Sequence, residues 1–280
     1  MKIFHTISET KDFIKAKRKE DLSIGFVATM GALHEGHVSL VNKARQDNDI
    51  VLCSIFVNPT QFDNQEDLKK YPRTLETDTA LLKKADCDII FAPSSDEMYN
   101  AVPKLKLDFG NLEHVMEGEF RPGHFNGVAT VVSKLFHIVN PDRAYFGLKD
   151  LQQVAILNRL VKDLSFDLEL ISCPIIRERD GLAMSSRNTR LSPKARSLAS
   201  QINKSLLIAK KALEDGLTAE SCKKKVIEHF KSFPDFQLEY LEISDFDNLE
   251  PLSSKNIAGK TAICIASYLD NVRLIDNVIF

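Results

Sequence analysis

The apolar positions in the first two thirds of the chain alternate between short continuous runs and helical stripes. Residues 24–28, 50–57, 87–92 and 168–173 are largely apolar stretches of strand length, the second a continuous run rich in β-branched residues. Runs of that kind fit strands buried on both faces of a parallel sheet. Helical stripes lie between them. Residues 6–20 can be capped by Thr6 or Ser8, with Phe13 and Ile14 turned inward. From His37 to about Asp47, Val38, Val41 and Ala44 share one face. Residues 77–85, 127–138 and 150–161 repeat the pattern. The segment 63–73 is polar and reads as a loop with a short helix; 104–109 alternates weakly and reads as a strand. Strand, helix, strand with short connections implies right-handed crossovers and a doubly wound α/β sheet.

The character changes after residue 176. Arg177-Glu178-Arg179-Asp180-Gly181 is charged and reads as flexible. Ser192-Pro193 supplies a cap and first turn for a long helix to about Asp215, with Gly216 as its stop. Thr218 caps a further helix, and residues 238–244, 261–267 and 272–277 read as strands. The spacing therefore predicts two domains: 1–176, and a smaller α+β domain over 177–280.

Composition narrows the function classes. With 280 residues, a net charge of −2 and 27% charged residues, the chain offers no electrostatic reason to bind nucleic acid or an anionic membrane. The five cysteines form no CxxC pair, and an odd count fits reduced thiols in the cytoplasm. No signal-peptide pattern opens the sequence, and no run approaches the length of a membrane span.

The candidate chemistry starts at Thr29-Met30-Gly31-Ala32-Leu33-His34-Glu35-Gly36-His37, between the first core strand and its helix. A helix N-terminus there attracts phosphate. Two imidazolium groups at that point would face the charge that grows as pyrophosphate leaves ATP. A zinc reading lacks the H-E-x-x-H spacing and a third ligand. Neither a G-x-x-x-x-G-K-[ST] loop nor a G-x-G-x-x-G is present, which disfavours P-loop transfer and dinucleotide binding. His34, His37, Asn58 and Gln61 all follow the C-terminal ends of predicted strands, where such sheets bind ligands. Lys149 lies where a strand gives way to a helix, and Met184-Ser185-Ser186-Arg187 adds two hydroxyls and a guanidinium suited to polyphosphate.

Together, a His-x-Gly-His turn after the first strand and a Ser-Ser-Arg loop after the last resemble the nucleotidyltransferase superfamily. The likeness narrows through Phe56-Val57-Asn58-Pro59-Thr60-Gln61-Phe62, Tyr71-Pro72-Arg73-Thr74, Glu117-Gly118 and Arg121-Pro122-Gly123-His124-Phe125. It continues through Phe146-Gly147-Leu148-Lys149-Asp150, Gln152-Gln153, residues 181–188 and Arg273-Leu274-Ile275-Asp276-Asn277. In family order and over essentially the whole chain, these segments resemble the pantothenate synthetases. One departure is Ala28, where that family usually carries a proline lining the substrate pocket.

The resemblance implies a Rossmann-like ATP- and pantoate-binding domain with a C-terminal lid. It implies ATP-dependent condensation of pantoate with β-alanine through a pantoyl adenylate, with Mg2+, in a cytoplasmic homodimer. By that resemblance Met30, Gly31, Ala32, Leu33, His34, Glu35, Gly36 and His37 wrap the nucleotide. His34, His37 and Lys149 are the catalytic residues, and His37 is the proton donor. Gly147, Leu148, Lys149, Asp150, Ile176, Met184, Ser185, Ser186 and Arg187 complete the ATP set. Gln61 and Gln153 hold pantoate, and Gln61 also meets β-alanine. Val131, Val132 and Phe146 form pantoate's apolar wall. Asp78 is the candidate Mg2+ ligand, the alternative being phosphates and water alone. Arg121 and His124 either face substrate or brace the pocket. Two rival readings stay open: a transferase that leaves a dinucleotide, and an inactive ATP-binding sensor.

Overall fold

The computed structural model describes residues 1–62, 65–255 and 259–280. The chain folds into two compact units. The first holds residues 1–148 and 156–174, the second 149–155 and 175–280.

The first unit is built on a parallel sheet whose described strands are β1 Lys2–Phe4, β2 Ile24–Thr29, β3 Ile50–Ile55, β4 Ile89–Phe91, β5 Arg143–Gly147 and β6 Glu169–Cys173. Their spatial order is β1-β4-β3-β2-β5-β6. From β2 the chain winds outward first through β3 and β4, then returns to β5 on β2's other side. The winding thus reverses between β2 and β5, and ligands of open parallel sheets bind outside the strand ends at such a point. The turns after β2 and β3 carry His34 and Gln61, and Gly147 ends β5.

The helices of this unit are α1 Ile7–Lys19, α2 Glu35–Asp47, α3 Gln65–Lys70, α4 Leu75–Lys84, α5 Ser95–Met98, α6 Glu117–Phe120, α7 His124–Val139 and the greater part of α8 Leu151–Asp163. Thr6 caps α1 in a capping box with Glu9. Val41 and Ala44 of α2 pack on Val27, Val51, Cys53 and Ile90 of the sheet, all buried.

One local expectation gives way here: residues 104–109 form no strand, for Leu105 is exposed and its alternation is not fixed by packing. The edge strand β1, which no pattern announced, carries only three residues, too short to show a period. The polar segment 63–73 contains a short helix, α3; residues 63 and 64 lie outside the described residues.

The described residues of the second unit pair helices with an antiparallel sheet. The helices are α9 Pro193–Leu198, α10 Gln201–Glu214 and α11 Ala219–Lys231; the strands are β7 Phe236–Asp245, β8 Thr261–Leu269 and β9 Val272–Ile279. Its core joins Ile202, Leu206, Ala209, Val226 and Phe230 to Ile263 and Ile265. The single long helix expected after Ser192 is divided at Ala199 and Ser200, where the Ile202 amide bonds the Ala199 carbonyl and interrupts the ladder. The charged stretch after residue 176 is not slack. Arg177 and Ala183 bridge antiparallel, and the amides of Glu178, Gly181 and Met184 bond the carbonyls of Leu182, Glu178 and Ile176. It is a tight hairpin because its charged residues have partners inside the same unit, described below.

Candidate active site

The turn after β2 is held by its own side chains. Gly31 and Ala32 both take positive φ, 82° and 50°. For alanine that costs about 1–2 kcal/mol, and what offsets it is visible in the amides. Those of Ala32 and Leu33 point at Asp78, at 3.0 and 2.8 Å from its two carboxylate oxygens. The Thr74 hydroxyl adds a third bond at 3.2 Å. Asp78 is only 1% exposed. The sequence suggested Asp78 as a magnesium ligand and the Ala32 and Leu33 segment around ATP. In the structure the carboxylate and those amides hold each other. Among the described residues, no group of three His, Cys, Asp or Glu side chains is placed to hold a metal ion. The residues present therefore do not make a protein cage for Mg2+.

His34 caps α2 in an unusual box. Its Nδ1 accepts from the Gly36 amide at 3.1 Å, and His37 Nδ1 accepts from the His34 amide at 3.3 Å. The ring centroids stand 4.1 Å apart. With Nδ1 as the acceptor in each bond, Nε2 is the ring nitrogen left to act as a donor. Two charged rings at 4.1 Å would repel each other, and both would lose the acceptor that closes the cap. What the pair offers an anion is two Nε2–H donors at a helix N-terminus.

Asn58 and Gln61 form the next turn, a short 3-10 segment Pro59–Gln61 capped by Asn58. Asn58 is 1% exposed and fully engaged. Its Oδ1 accepts from the hydroxyls of Thr60 and Tyr99, both at 3.0 Å, and its Nδ2 donates to Gln61 Oε1 at 3.1 Å and to the Gly127 carbonyl. That orients the Gln61 amide: its oxygen is taken from behind, and its Nε2 lies 3.0 Å from Met30 Sδ. Gln61 thus meets the histidine turn through Met30. Sequence reading places Asn58 here but gives it no role; its signal is the Asn-Pro cap.

The first turn of α7 braces the same segment. His124 is buried, and its Nδ1 stands 2.8 Å from the Gln61 carbonyl while Arg121 approaches its Nε2 at 3.3 Å. Arg121 in turn lies 3.7 Å from Glu117. A Cβ on Gly127 would fall 2.2 Å from the Thr60 carbonyl oxygen, so glycine is required for this close approach. Of the two roles left open for His124, the geometry favours bracing. Val131, Val132 and Phe146 are buried nearby in sequence and sheet, as an apolar wall requires. Ala28 pairs with Ser54 inside the β2–β3 ladder without distortion of the register.

Lys149, Asp150, Gln153, Ile176 and residues 184–187 all belong to the second unit. The Lys149 side chain is mostly covered, with Nζ 3.9 Å from an Asp150 oxygen, whereas Asp150 is exposed. Gln153 is half-buried on the first turn of α8. The Ile176 carbonyl accepts from the Met184 amide at 2.9 Å. Ser185 caps a 3-10 turn, Ser186–Arg190, its hydroxyl accepting from the Arg187 amide at 3.2 Å. Asn188 locks that turn from below through Glu178 and the Ala183 carbonyl, at 2.7 and 3.1 Å. Glu178 and Asp180 are both paired to Arg196. The Asp180 carboxyl is held below the usual carboxylate range, chiefly by its hydrogen bond to Arg196.

All five cysteines are buried and free, and burial pushes the Cys53 thiol well up and that of Cys87 to about 11. They are inert packing residues rather than nucleophiles.

Comparison with known proteins places these features in a context. Residues 2–279 match the family model described as pantoate-beta-alanine ligase. Curated relatives named pantothenate synthetase include that of Thermotoga petrophila, 49% identical over 100% of this chain and 99% of its own length. That of Cytophaga hutchinsonii is 46% identical over 98% and 97%. Among solved structures, pantothenate synthetase from Thermus thermophilus superposes with a TM-score of 0.93 at 41% identity, covering 99% of each chain. Pantoate-beta-alanine ligase from Francisella tularensis, solved with β-γ ATP and β-alanine, gives 0.82 at 36% identity, covering 100% of this chain and 97% of its own.

Proposed function

The chain belongs to the pantoate–β-alanine ligase family and is a ligase that uses ATP to join pantoate to β-alanine, and from that premise we propose how its residues divide the work. The reaction runs in two steps. A pantoate carboxylate oxygen attacks the α-phosphorus of ATP; the bond to the bridging oxygen breaks, and pyrophosphate leaves with that electron pair. The β-alanine amine then attacks the acyl carbon of pantoyl adenylate, and AMP and a proton are released. AMP is a far better leaving group than hydroxide, so the protein has chiefly to orient anions and offset their charge.

In this reading the first unit takes the reacting centre. The Nε2–H groups of His34 and His37 donate to phosphate oxygens whose charge rises as pyrophosphate departs. Gln61 presents its Nε2–H group to pantoate, because Asn58 occupies its oxygen. The second unit supplies Lys149, Ser185, Ser186 and Arg187 to the triphosphate and Gln153 to pantoate. Residues 177–280 serve as the lid. Mg2+ would be held by the nucleotide rather than by these side chains, and would supply charge neutralisation there. The enzyme works in the cytoplasm as a homodimer; no helix among the described residues is long and apolar enough to cross a membrane.

The observation that carries this reading is the paired Nδ1 acceptance of His34 and His37 at the N-terminus of α2. The deciding experiment is pantoate-dependent ATP–pyrophosphate exchange, followed by AMP release on adding β-alanine. Absence of exchange at every Mg2+ concentration overturns the adenylate route. A retained nucleotidyl group in the product favours the dinucleotide alternative.

A further inference from the structure

The motif Arg273-Leu274-Ile275-Asp276-Asn277 lies on β9, near the end of the chain, and has no part in the chemistry above. Yet two of its side chains are among the most deeply buried polar groups of the second unit: Asp276 is 3% exposed and Asn277 2%. Arg177 donates to both Asp276 oxygens, at 2.7 and 3.0 Å, and also to the Gly181 and Asn277 carbonyls. The Asn277 amide closes a third bond on Asp276, at 2.8 Å. Burial raises the Asp276 carboxyl and Arg177 opposes that rise, so the pair is a costly arrangement that folding alone rarely selects.

What the pair holds gives the reason. Asn277 Nδ2 donates to the main-chain carbonyl of Lys149 at 3.0 Å, across 128 positions of sequence. Arg177 sits at the foot of the hairpin that ends in Met184, one residue from Ile176. Strand β9 also packs on the 3-10 turn Ser186–Arg190. Two adjacent residues of β9 therefore tie the Lys149 main chain to Arg177, beside Ile176, on a strand that also packs on the Ser186–Arg190 turn.

We infer that Asn277, backed by the Asp276–Arg177 pair, is a positioning residue for the nucleotide: it fixes the Lys149 main chain so that the ammonium meets the same phosphates as the Ser-Ser-Arg turn. The inference rests on the assignment of Lys149 to phosphate. A lysine is a point charge on a flexible stem and aims only as well as its backbone is held. A displacement of about 1 Å at such a site can cost on the order of 100-fold in rate.

The test is a double-mutant cycle in the full-length enzyme, read by pantoate-dependent ATP–pyrophosphate exchange with ATP and pantoate varied separately. Lys149→Ala is expected to slow exchange about 100-fold. Asn277→Ala, and the isosteric Asn277→Asp, which removes the donor while keeping the shape, are each expected to cost about 10-fold or more in kcat/KM for ATP, with KM for pantoate within about twofold. In the Lys149→Ala background the Asn277 substitutions should add almost nothing, because the group they position is gone. Melting curves of each variant accompany the kinetics.

Additive losses across the cycle would overturn the inference, since a residue that merely stabilises the fold acts whether or not Lys149 keeps its side chain. Asn277 variants indistinguishable from the parent would overturn it while leaving the phosphate role of Lys149 intact. An unaffected Lys149→Ala enzyme would remove that role and the inference with it. Failure of both Asn277 variants to fold would make the residue structural and equally decide against the proposal.

Discussion

The two turns proposed to bind the triphosphate are held by opposite means. The turn after β2 is closed from behind by an enclosed group, the Asp78 carboxylate on two amides, and further on by two half-buried imidazoles on two more. The Ser185–Arg187 turn rests on side chains that still see water: side-chain exposure is 33% for Arg196, 28% for Glu178 and 38% for Asp180. Bonds in a dry, low-dielectric setting are strong and indifferent to salt, whereas half-exposed ion pairs are weak and screened. The first turn is thus a fixed wall and the second a support that its medium can loosen. That division suits a reaction in which charge develops at a defined place while a nucleotide has to enter and leave.

The largest effect expected of this contrast is at His37, whose ring does two jobs with two nitrogens. Asparagine places an amide where Nδ1 stood and can keep the bond to the His34 amide; glutamine reaches where Nε2 stood and keeps the outward donor. His37→Ala and His37→Asn should both lower kcat by about 100- to 1,000-fold, with ATP binding changed little. His37→Gln should retain more activity than either. A greater loss for Gln than for Asn, or a loss of ATP affinity equal to the loss of kcat, would show that the ring serves the cap and not the reaction.

Asp78→Asn probes the same wall from behind. The substitution turns an acceptor that two N–H groups share into a group that is half donor, so one amide of the turn loses its partner. Unfolding by denaturant should show a loss of about 1–3 kcal/mol, with a rise in KM for ATP as the turn relaxes. The Mg2+ concentration for half-maximal activity should stay where it is. A marked rise in that concentration would restore Asp78 as a metal ligand.

At His124 the expected change is smaller and again divides by nitrogen. His124→Asn keeps a donor facing the Gln61 carbonyl; His124→Gln does not. The glutamine variant should raise KM for pantoate by roughly fivefold, the equivalent of one ordinary hydrogen bond, and the asparagine variant by much less. The same rise in both would place the imidazole itself against substrate.

How much of this was legible beforehand depends on range. Buried strands such as residues 24–28 and 50–57 announce themselves because each lies in a single dry environment, so local composition carries the signal. Caps such as Thr6 and Thr218 are local as well. The partners of Asp78 were not legible: its bonds run 45 and 46 positions back to Leu33 and Ala32, and no spacing rule links a helix residue to a turn at that distance. The same holds for the Asn277 bond to Lys149. Which ring nitrogen of each histidine meets which amide also lay beyond the sequence. The hairpin at 177–184 looked flexible because charge in a short segment usually means solvent, and only the fold supplies Arg196 and Asp276 as partners.

The mildest test falls on the second turn's support. Arg196→Ala removes the partner of Asp180 and Glu178 together. Asp180 has its pKa lowered in the folded protein, with the Arg196 bond as the main cause. A carboxylate of that kind stabilises the fold above its unfolded pKa of about 3.9, and the contribution fades as pH falls through the lower folded value. The parent should therefore exceed the variant in stability at neutral pH by no more than about 1 kcal/mol, the scale of a solvent-screened pair. The gap should narrow steadily below about pH 4 and shrink again in molar salt. In the same series the Asp78→Asn gap should hardly respond to salt, because its partners are enclosed. Chemical denaturation by urea at several pH values and salt concentrations measures both. If the Arg196→Ala gap proved salt-independent and the Asp78→Asn gap did not, the fixed and the tunable turn would have to exchange places, and the nucleotide would then be admitted from the side of the histidines.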